Sequence, residues 1–441
     1  MFEAWLVGSI PKTIMSVVKR ENIMKKFLAG VALVVSSATL AFADNHALKI
    51  GFMATLEGPY TVLGEDSQRG FEVALNEFNN QVAGRPIEVT IGATDASPES
   101  ALRAARKLVE QDKVDVIVGP LSGSEGIALR DYSKTVPHVT FINGISGAQE
   151  TTMVDPSETF FRFNMDGAQW TIGLGNYVYN EKGWEVVAAI SEDYSFGYTN
   201  FMGFALEFCR AGGDIVERQW VPLGTKDFSS IIAALPEDVD ALYLGLGGAD
   251  AVNFLNQYLQ AGGDANLIGG TIMVDGTVLS SEGRAKEVLI GTPSSGPQAD
   301  TWDNEGWKNF VKTYQDTWPP EQRFPSPSLL ATGYYNAAKA TLMALEAVNG
   351  DLSDGQAGLR KALSELVLDA PNGRISLDGN RQAIGSNFVT EVVQLSDGNL
   401  ATKLVNKIDN VEQTLGLTPE QFATLGIPSR DVVDCKAWQG K

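Results

Sequence analysis

The feature that most constrains this chain is the stretch Val114-Asp115-Val116-Ile117-Val118-Gly119-Pro120-Leu121-Ser122-Gly123-Ser124-Glu125. An apolar run of strand length stops at Gly119-Pro120, and a small polar loop then opens a helix. Ser122 and Glu125 have the spacing of a capping box, with Ser122 as N-cap and Glu125 at the third helical position. Such a junction leaves backbone N–H groups unpaired at the helix start, so the loop can hold an anionic or hydrogen-bonding group of a ligand. The stretch also reads as a plain βα connection in a parallel sheet, and the rest of the chain has to decide between the two.

The pattern recurs on both sides. Residues 48–54 read as a strand ending in Thr55-Leu56-Glu57-Gly58-Pro59-Tyr60, followed by a helix over 65–81, a strand over 86–93 and a helix begun by Ser97-Pro98-Glu99. The strand 138–142 then runs into the loop Asn143-Gly144-Ile145-Ser146-Gly147-Ala148. A second series starts near Met165, with a helix over 170–181, a strand over 186–190 and a helix over 197–211 closed by Gly212-Gly213. Strands and helices continue to alternate as far as Ala261. Amphipathic helices over 307–318, 328–348 and 356–368 then follow one another without strands, and 374–377, 388–395 and 400–408 read as antiparallel strands.

This alternation predicts an α/β protein of two doubly wound parallel-sheet lobes joined by a three-segment hinge. Lobe I takes residues 44–164 and 295–370; lobe II takes 165–294 and 371–441, including a C-terminal tail. The crossings fall near 163–167, 291–297 and 370–373. Strand C-terminal ends of both lobes then face a shared cleft, where open α/β sheets bind ligands, and hinged closure around a small molecule follows.

Charge removes whole classes of function. The 441 residues carry a formal net charge of −20, which argues against nucleic acid and against an anionic membrane surface. Met24-Lys25-Lys26, an apolar run over 27–40 and Ala41-Phe42-Ala43 together read as a secretory signal cut after Ala43, with residues 1–23 an upstream start-site extension. Cleavage removes five basic and two acidic residues and leaves the mature chain at −23. Export to an oxidising compartment permits a bridge between the two cysteines, Cys209 and Cys435; the alternative is two separate thiols.

Catalytic chemistry is scarce. Of the two histidines, His46 falls at the disordered start of the mature chain and His138 reads as packed structure. No Ser-His-Asp set and no metal-ligand spacing is readable. Gly144-x-Ser146-Gly147 approaches a nucleophile elbow but has Ala148 where that motif needs glycine. Gly245-x-Gly247-Gly248 approaches a dinucleotide fingerprint, but Asp250 takes the place of its third glycine. Binding without turnover is the favoured class, with no cofactor.

An exported two-lobe α/β chain with Gly58-Pro59-Tyr60 after its first strand resembles the leucine/isoleucine/valine-binding receptors, the periplasmic solute receptors of ABC importers with the type I periplasmic binding protein fold. The resemblance runs over about residues 48–400 and includes Asp95-Ala96-Ser97-Pro98, Val118-Gly119-Pro120-Leu121-Ser122, Gly144-Ile145-Ser146-Gly147-Ala148 and Glu192-Asp193-Tyr194-Ser195-Phe196-Gly197. It implies that the ligand carboxylate is held by the hydroxyls of Ser122, Ser124 and Ser146 and the backbone around Gly123, Ile145 and Gly147. Tyr60, Tyr194 and Phe196 are the implied aromatic wall, with core packing as the other reading of each. Gly247 joins the implied ligand-binding set. Receptors of α-amino acids in this family place an acid in lobe II. The matching stretch here, Gly270-Thr271-Ile272-Met273-Val274-Asp275-Gly276, is apolar at that point, which leaves Asp275 or Asp193 as anions, or a ligand without an ammonium. The positions of a disulfide found in some relatives read Ser97 and Ser122.

The expectation is therefore a non-enzymatic, monomeric periplasmic receptor. It closes on a small carboxylate-bearing solute, a branched-chain amino acid first, and delivers it to ABC permease subunits in the inner membrane. Three alternatives stay open: a receptor for an aromatic or aliphatic carboxylate lacking an amine, a ligand sensor signalling to a partner protein, and a hydrolase using Ser146.

Overall fold

The computed structural model describes residues 46–439. The signal-peptide reading lies outside them. Among the described residues no helix is long and apolar enough to cross a membrane.

Two sheets organise the chain. The first is built on the strand Leu48–Thr55, which pairs in parallel with Arg85–Thr94 on one side and Val116–Val118 on the other. Thr140–Ile142 and Phe160–Phe161 extend it in parallel. The inner strands Leu48–Thr55, Val116–Val118 and Thr140–Ile142 are buried on both faces because helices cover both, whereas Arg85–Thr94 stays largely exposed. Thr61–Glu77 and Leu329–Ala347 lie together, and Phe52, Phe71 and Tyr334 meet in the core beneath them, with ring centroids 4.8 and 5.4 Å from that of Phe52.

The second sheet has a parallel centre of Asp214–Val221, Val186–Glu192, Ala241–Gly245, Asn266–Gly269 and Pro293–Gly296. Its other half is antiparallel: Ala383–Gln394 pairs with Pro293–Gly296 on one edge and with Leu400–Val411, and Gly373–Leu377 with Leu368–Ala370 continues it. The chain passes from the first sheet to the second after Phe160–Phe161. It returns after Pro293–Gly296 to the helices Glu305–Thr317, Leu329–Ala347 and Ser353–Glu365, and crosses a third time into Leu368–Ala370.

Local signals explain most boundaries. Ser97 caps Pro98–Arg106 by accepting from the Ser100 N–H (3.2 Å), and Gly212, at φ +119°, closes Ser195–Ala211. The single helix expected over 170–181 is instead a short turn, Gln169–Thr171, and the helix Leu174–Asn180, divided at Gly173 with φ +90°. Both histidine expectations need correction. The His46 carbonyl accepts from the Arg85 Nε at 2.7 Å, so the chain is anchored there, and His138 is exposed in a turn.

The C-terminal tail folds back on the second sheet. Phe422, Leu425, Val433 and Trp438 join the core formed with Phe204 and Phe208, and Cys435 is disulfide-bonded to Cys209 across 226 residues.

Candidate functional site

The strand ends of the two sheets meet at a cleft lined by Tyr60, Leu63, Leu121, Gly123, Ile145 and Gly147 from one side. Trp170, Tyr194, Phe196 and Ile272 line the other, and Leu329 and Leu330 form the edge. Six of the sequence-predicted ligand residues are therefore brought together: Tyr60, Gly123, Ile145, Gly147, Tyr194 and Phe196.

Each arrives by a local device. The capping box is formed as expected: the Glu125 N–H donates to Ser122 Oγ (3.3 Å) and the Ser122 N–H to Glu125 Oε2 (2.9 Å). Gly119 before it holds φ +142°, and a Cβ there would stand 2.3 Å from the Met53 carbonyl oxygen. The helix Gly123–Ser133 thus begins at the cleft with Gly123 in its wall. The next loop is held by Asn143, whose Nδ2 donates to the Ser146 carbonyl (3.1 Å) while the Ile145 N–H donates to Pro120 (3.1 Å).

The predicted hydroxyls have other duties. Ser122 Oγ donates to the Ala96 carbonyl (2.8 Å), and Ser146 Oγ donates to Asn143 Oδ1 (2.7 Å); both serines are buried. They shape the two cleft loops from behind. Ser124 is the one that reaches across, with its Oγ 3.0 Å from that of Ser195 on the second sheet's side. Asp275 is also placed elsewhere. One oxygen accepts from the Leu329 N–H (2.8 Å) and the other from the Thr277 N–H (3.2 Å), so it caps two helix starts where the halves adjoin. Asp193 turns outward to an ion pair with Arg430 of the tail.

Glu192, which the sequence reading passed over, lies fully buried behind the cleft wall, bonded to Tyr60 but not itself among the lining residues. It ends the buried strand Val186–Glu192, one residue before the anion that was singled out. Its Oε2 accepts from the Tyr60 hydroxyl and its Oε1 from the Gly247 N–H (3.0 Å); Gly247, expected in the ligand-binding set, does not line the cleft. The Tyr60 and Tyr194 hydroxyls lie 3.0 Å apart, and their rings 6.2 Å apart. Burial raises the Glu192 carboxyl to about 8, partly offset by the Tyr60 and Gly247 hydrogen bonds and reinforced by Asp250. Burial, then the Glu192 charge, push both tyrosines well up. Burial also lifts Glu125 to about 7. Trp170, unforeseen in the cleft, packs edge-on against Phe196 with centroids 5.8 Å apart, and its buried Nε1–H has no protein acceptor. Among the described residues no group of three or more His, Cys, Asp or Glu could hold a metal ion.

An aromatic cleft between two α/β sheets, entered from strand ends on both sides and crossed three times by the chain, defines a two-lobed solute receptor. The family model for periplasmic binding proteins matches residues 47–399, and the chain belongs to that family. A Leu/Ile/Val-binding protein homolog of Brucella melitensis is 24% identical over 395 residues, covering 88% of this chain and 97% of that protein. Among solved structures, an ABC transporter substrate-binding protein from Sphaerobacter thermophilus superposes with TM-score 0.74 at 26% identity, covering 83% of this chain and 99% of that one. A solute-binding protein of an ABC transporter from Rhodopseudomonas palustris, in complex with 3,4-dihydroxybenzoic acid, gives TM-score 0.76 at 24% identity, covering 86% and 100%.

Proposed function

We propose that this chain is the solute-capturing component of an ABC importer, taking a small carboxylate-bearing molecule between its lobes and presenting it to permease subunits. The observation that carries the reading is the cleft itself: an aromatic and aliphatic wall with one helix start and a glycine-bearing loop opposite it. The N-terminus of Gly123–Ser133 offers unpaired N–H groups and the positive end of a helix dipole to a carboxylate. Tyr60, Trp170, Tyr194 and Phe196 bury the rest of the solute. Tyr60–Glu192 and Ser124–Ser195 join the two sides, so entry requires them to part and closure re-forms a dry site.

This work is non-covalent, and the exported receptor acts as a monomer in the periplasm. The carboxylate without an amine is the second reading, favoured by Ile272 in the wall where an acid would be aligned. A thermal-shift screen of amino acids, aliphatic acids and benzoates tests the function. A true ligand at 100 times its dissociation constant adds about 2.7 kcal/mol to stability. No stabilisation by any small carboxylate, or measured turnover of ester or amide substrates lost in Ser146→Ala, would overturn it.

A further inference from the structure

Arg162 is fully buried and follows the strand Phe160–Phe161, where the first crossing begins. Its backbone runs beside the third segment: its N–H donates to the Arg381 carbonyl (3.0 Å), and it pairs in parallel with Gln382. The guanidinium turns toward a cleft loop and not toward an acid. One Nη donates to the carbonyls of Ser146 (3.0 Å) and Ala148 (2.7 Å), and the other to the Thr152 hydroxyl (3.1 Å). Its Nε–H has no protein acceptor. Burial pulls the guanidinium down to about 10, against Asp166 and Asp378, which favour its charge without a hydrogen bond to it. It is therefore charged at neutral pH. A buried guanidinium is ordinarily forked onto a carboxylate. One whose every bond runs to a neutral oxygen leaves its charge to be matched by an anion from outside.

We propose that Arg162 is a positioning residue for the solute's carboxylate: from the hinge it fixes the loop so that the Gly147 N–H faces the cleft, and it sets a positive charge behind that donor. The proposal deepens the receptor reading and rests on it. Its geometry follows from the peptide plane. The Ser146 carbonyl is drawn back by Arg162 and by the side-chain amides of Asn143 (3.1 Å) and Asn164 (3.4 Å). The peptide that follows is trans, so its N–H points the opposite way and the Gly147 donor is turned from Arg162. Gly147 lines the cleft, and a Cβ there would stand 2.6 Å from the Phe196 ring, so backbone alone is presented at that point. The loop has no room to retreat. A Cβ on Gly126 would stand 2.1 Å from Ser146 Oγ, so the loop is packed directly on the helix Gly123–Ser133.

Titration calorimetry of the mature chain with acids and their primary amides tests this. The pairs are leucine and leucinamide, isovalerate and isovaleramide, benzoate and benzamide, and any other acid that the thermal-shift screen selects with its own amide. Acid and amide share a shape, so their affinity ratio reads recognition of the charge. Wild type is expected to bind the acid about tenfold or more tighter than the amide. Arg162→Met is expected to cut that ratio about fivefold or more, because a hydrogen bond to a charged group is worth about twice a neutral one. An arginine that merely held the fold would weaken acid and amide alike and leave the ratio unchanged. Arg162→Met/Asp166→Asn removes both buried charges together, and the same fall is expected in it. If neither variant folds by circular dichroism, nuclear magnetic resonance of isotope-labelled wild type decides. The Gly147 N–H and Arg162 Nε–H resonances then both shift on adding the acid, and by much less on adding its amide.

An unchanged ratio in a folded variant, wild type that binds acid and amide alike, or resonances unmoved by the acid overturns the role of Arg162 while the receptor reading stands. Failure of every small carboxylate to bind wild type overturns the receptor reading, and this proposal with it.

Discussion

Removing the Cys209–Cys435 bridge gives a defined test of how the tail is held. The two residues are 226 apart in sequence, and the chain-entropy treatment of a loop that long gives about 5 kcal/mol of destabilisation on opening it. A domain of roughly 400 residues has an unfolding entropy near 0.8 kcal/mol/K, so a global two-state loss of that size lowers Tm by about 6 °C. The tail also buries Phe422, Leu425, Val433 and Trp438, each worth about 1.5–3 kcal/mol, so together they outweigh the bridge. The opened tail therefore stays docked but frays more often. Cys209→Ala/Cys435→Ala is compared with the parent by calorimetry and by limited trypsin digestion, which reads cleavage at the exposed Arg430 and Lys436. The expected outcome is a Tm lower by several degrees and faster tail cleavage, with the oxidised parent showing no free thiol by intact mass. Equal melting and equal cleavage in parent, reduced parent and variant would refute the reasoning.

Three further outcomes follow from the site and its supports. Burial raises Glu125 to about 7, Glu192 to about 8, and Asp250 and Asp275 to about 6, so between pH ~4.5 and ~8 the folded chain holds more protons than the unfolded one. Stability from these groups is therefore greatest below about pH 4 and falls steadily as the pH rises toward 8; a Tm that rises between pH 5 and 8 contradicts it. Gly147→Val places a Cβ 2.6 Å from the Phe196 ring, so the cleft should fail to close and solute affinity drop at least tenfold while Tm changes little. Calorimetric titration with small-angle scattering checks this, and a compact, tight-binding variant would count against it. Asp275→Ala frees two buried N–H groups and should cost about 1–3 kcal/mol in thermal melts, with affinity altered less than threefold. Abolished amino-acid binding in a folded Asp275→Ala protein would return Asp275 to the amine role.

The sequence by itself determined the alternation of strand and helix, the division into two parallel-centred sheets and the antiparallel ending. It also determined the Ser122–Glu125 capping box, because these signals lie within a few residues of one another along the chain. Periodicity and caps are local, so they survive reading in one dimension. The break at Gly173 was hidden for the same reason: an amphipathic run around it carried the stronger local pattern.

Six of the cleft residues were named from the sequence, but which acid lies behind its wall was decided by the tertiary structure alone. Tyr60 and Glu192 are 132 residues apart, and nothing in their spacing distinguishes Glu192 from Asp193 beside it. Which of two adjacent acids is desolvated depends on the direction the last strand residue faces once two sheets are packed. The serines show the converse. Ser122 and Ser146 lie on the right loops, but buried neighbours Ala96 and Asn143 claim their hydroxyls, and only Ser124 faces the other lobe. A side chain's role at a shared cleft is set by what the opposite body brings to it.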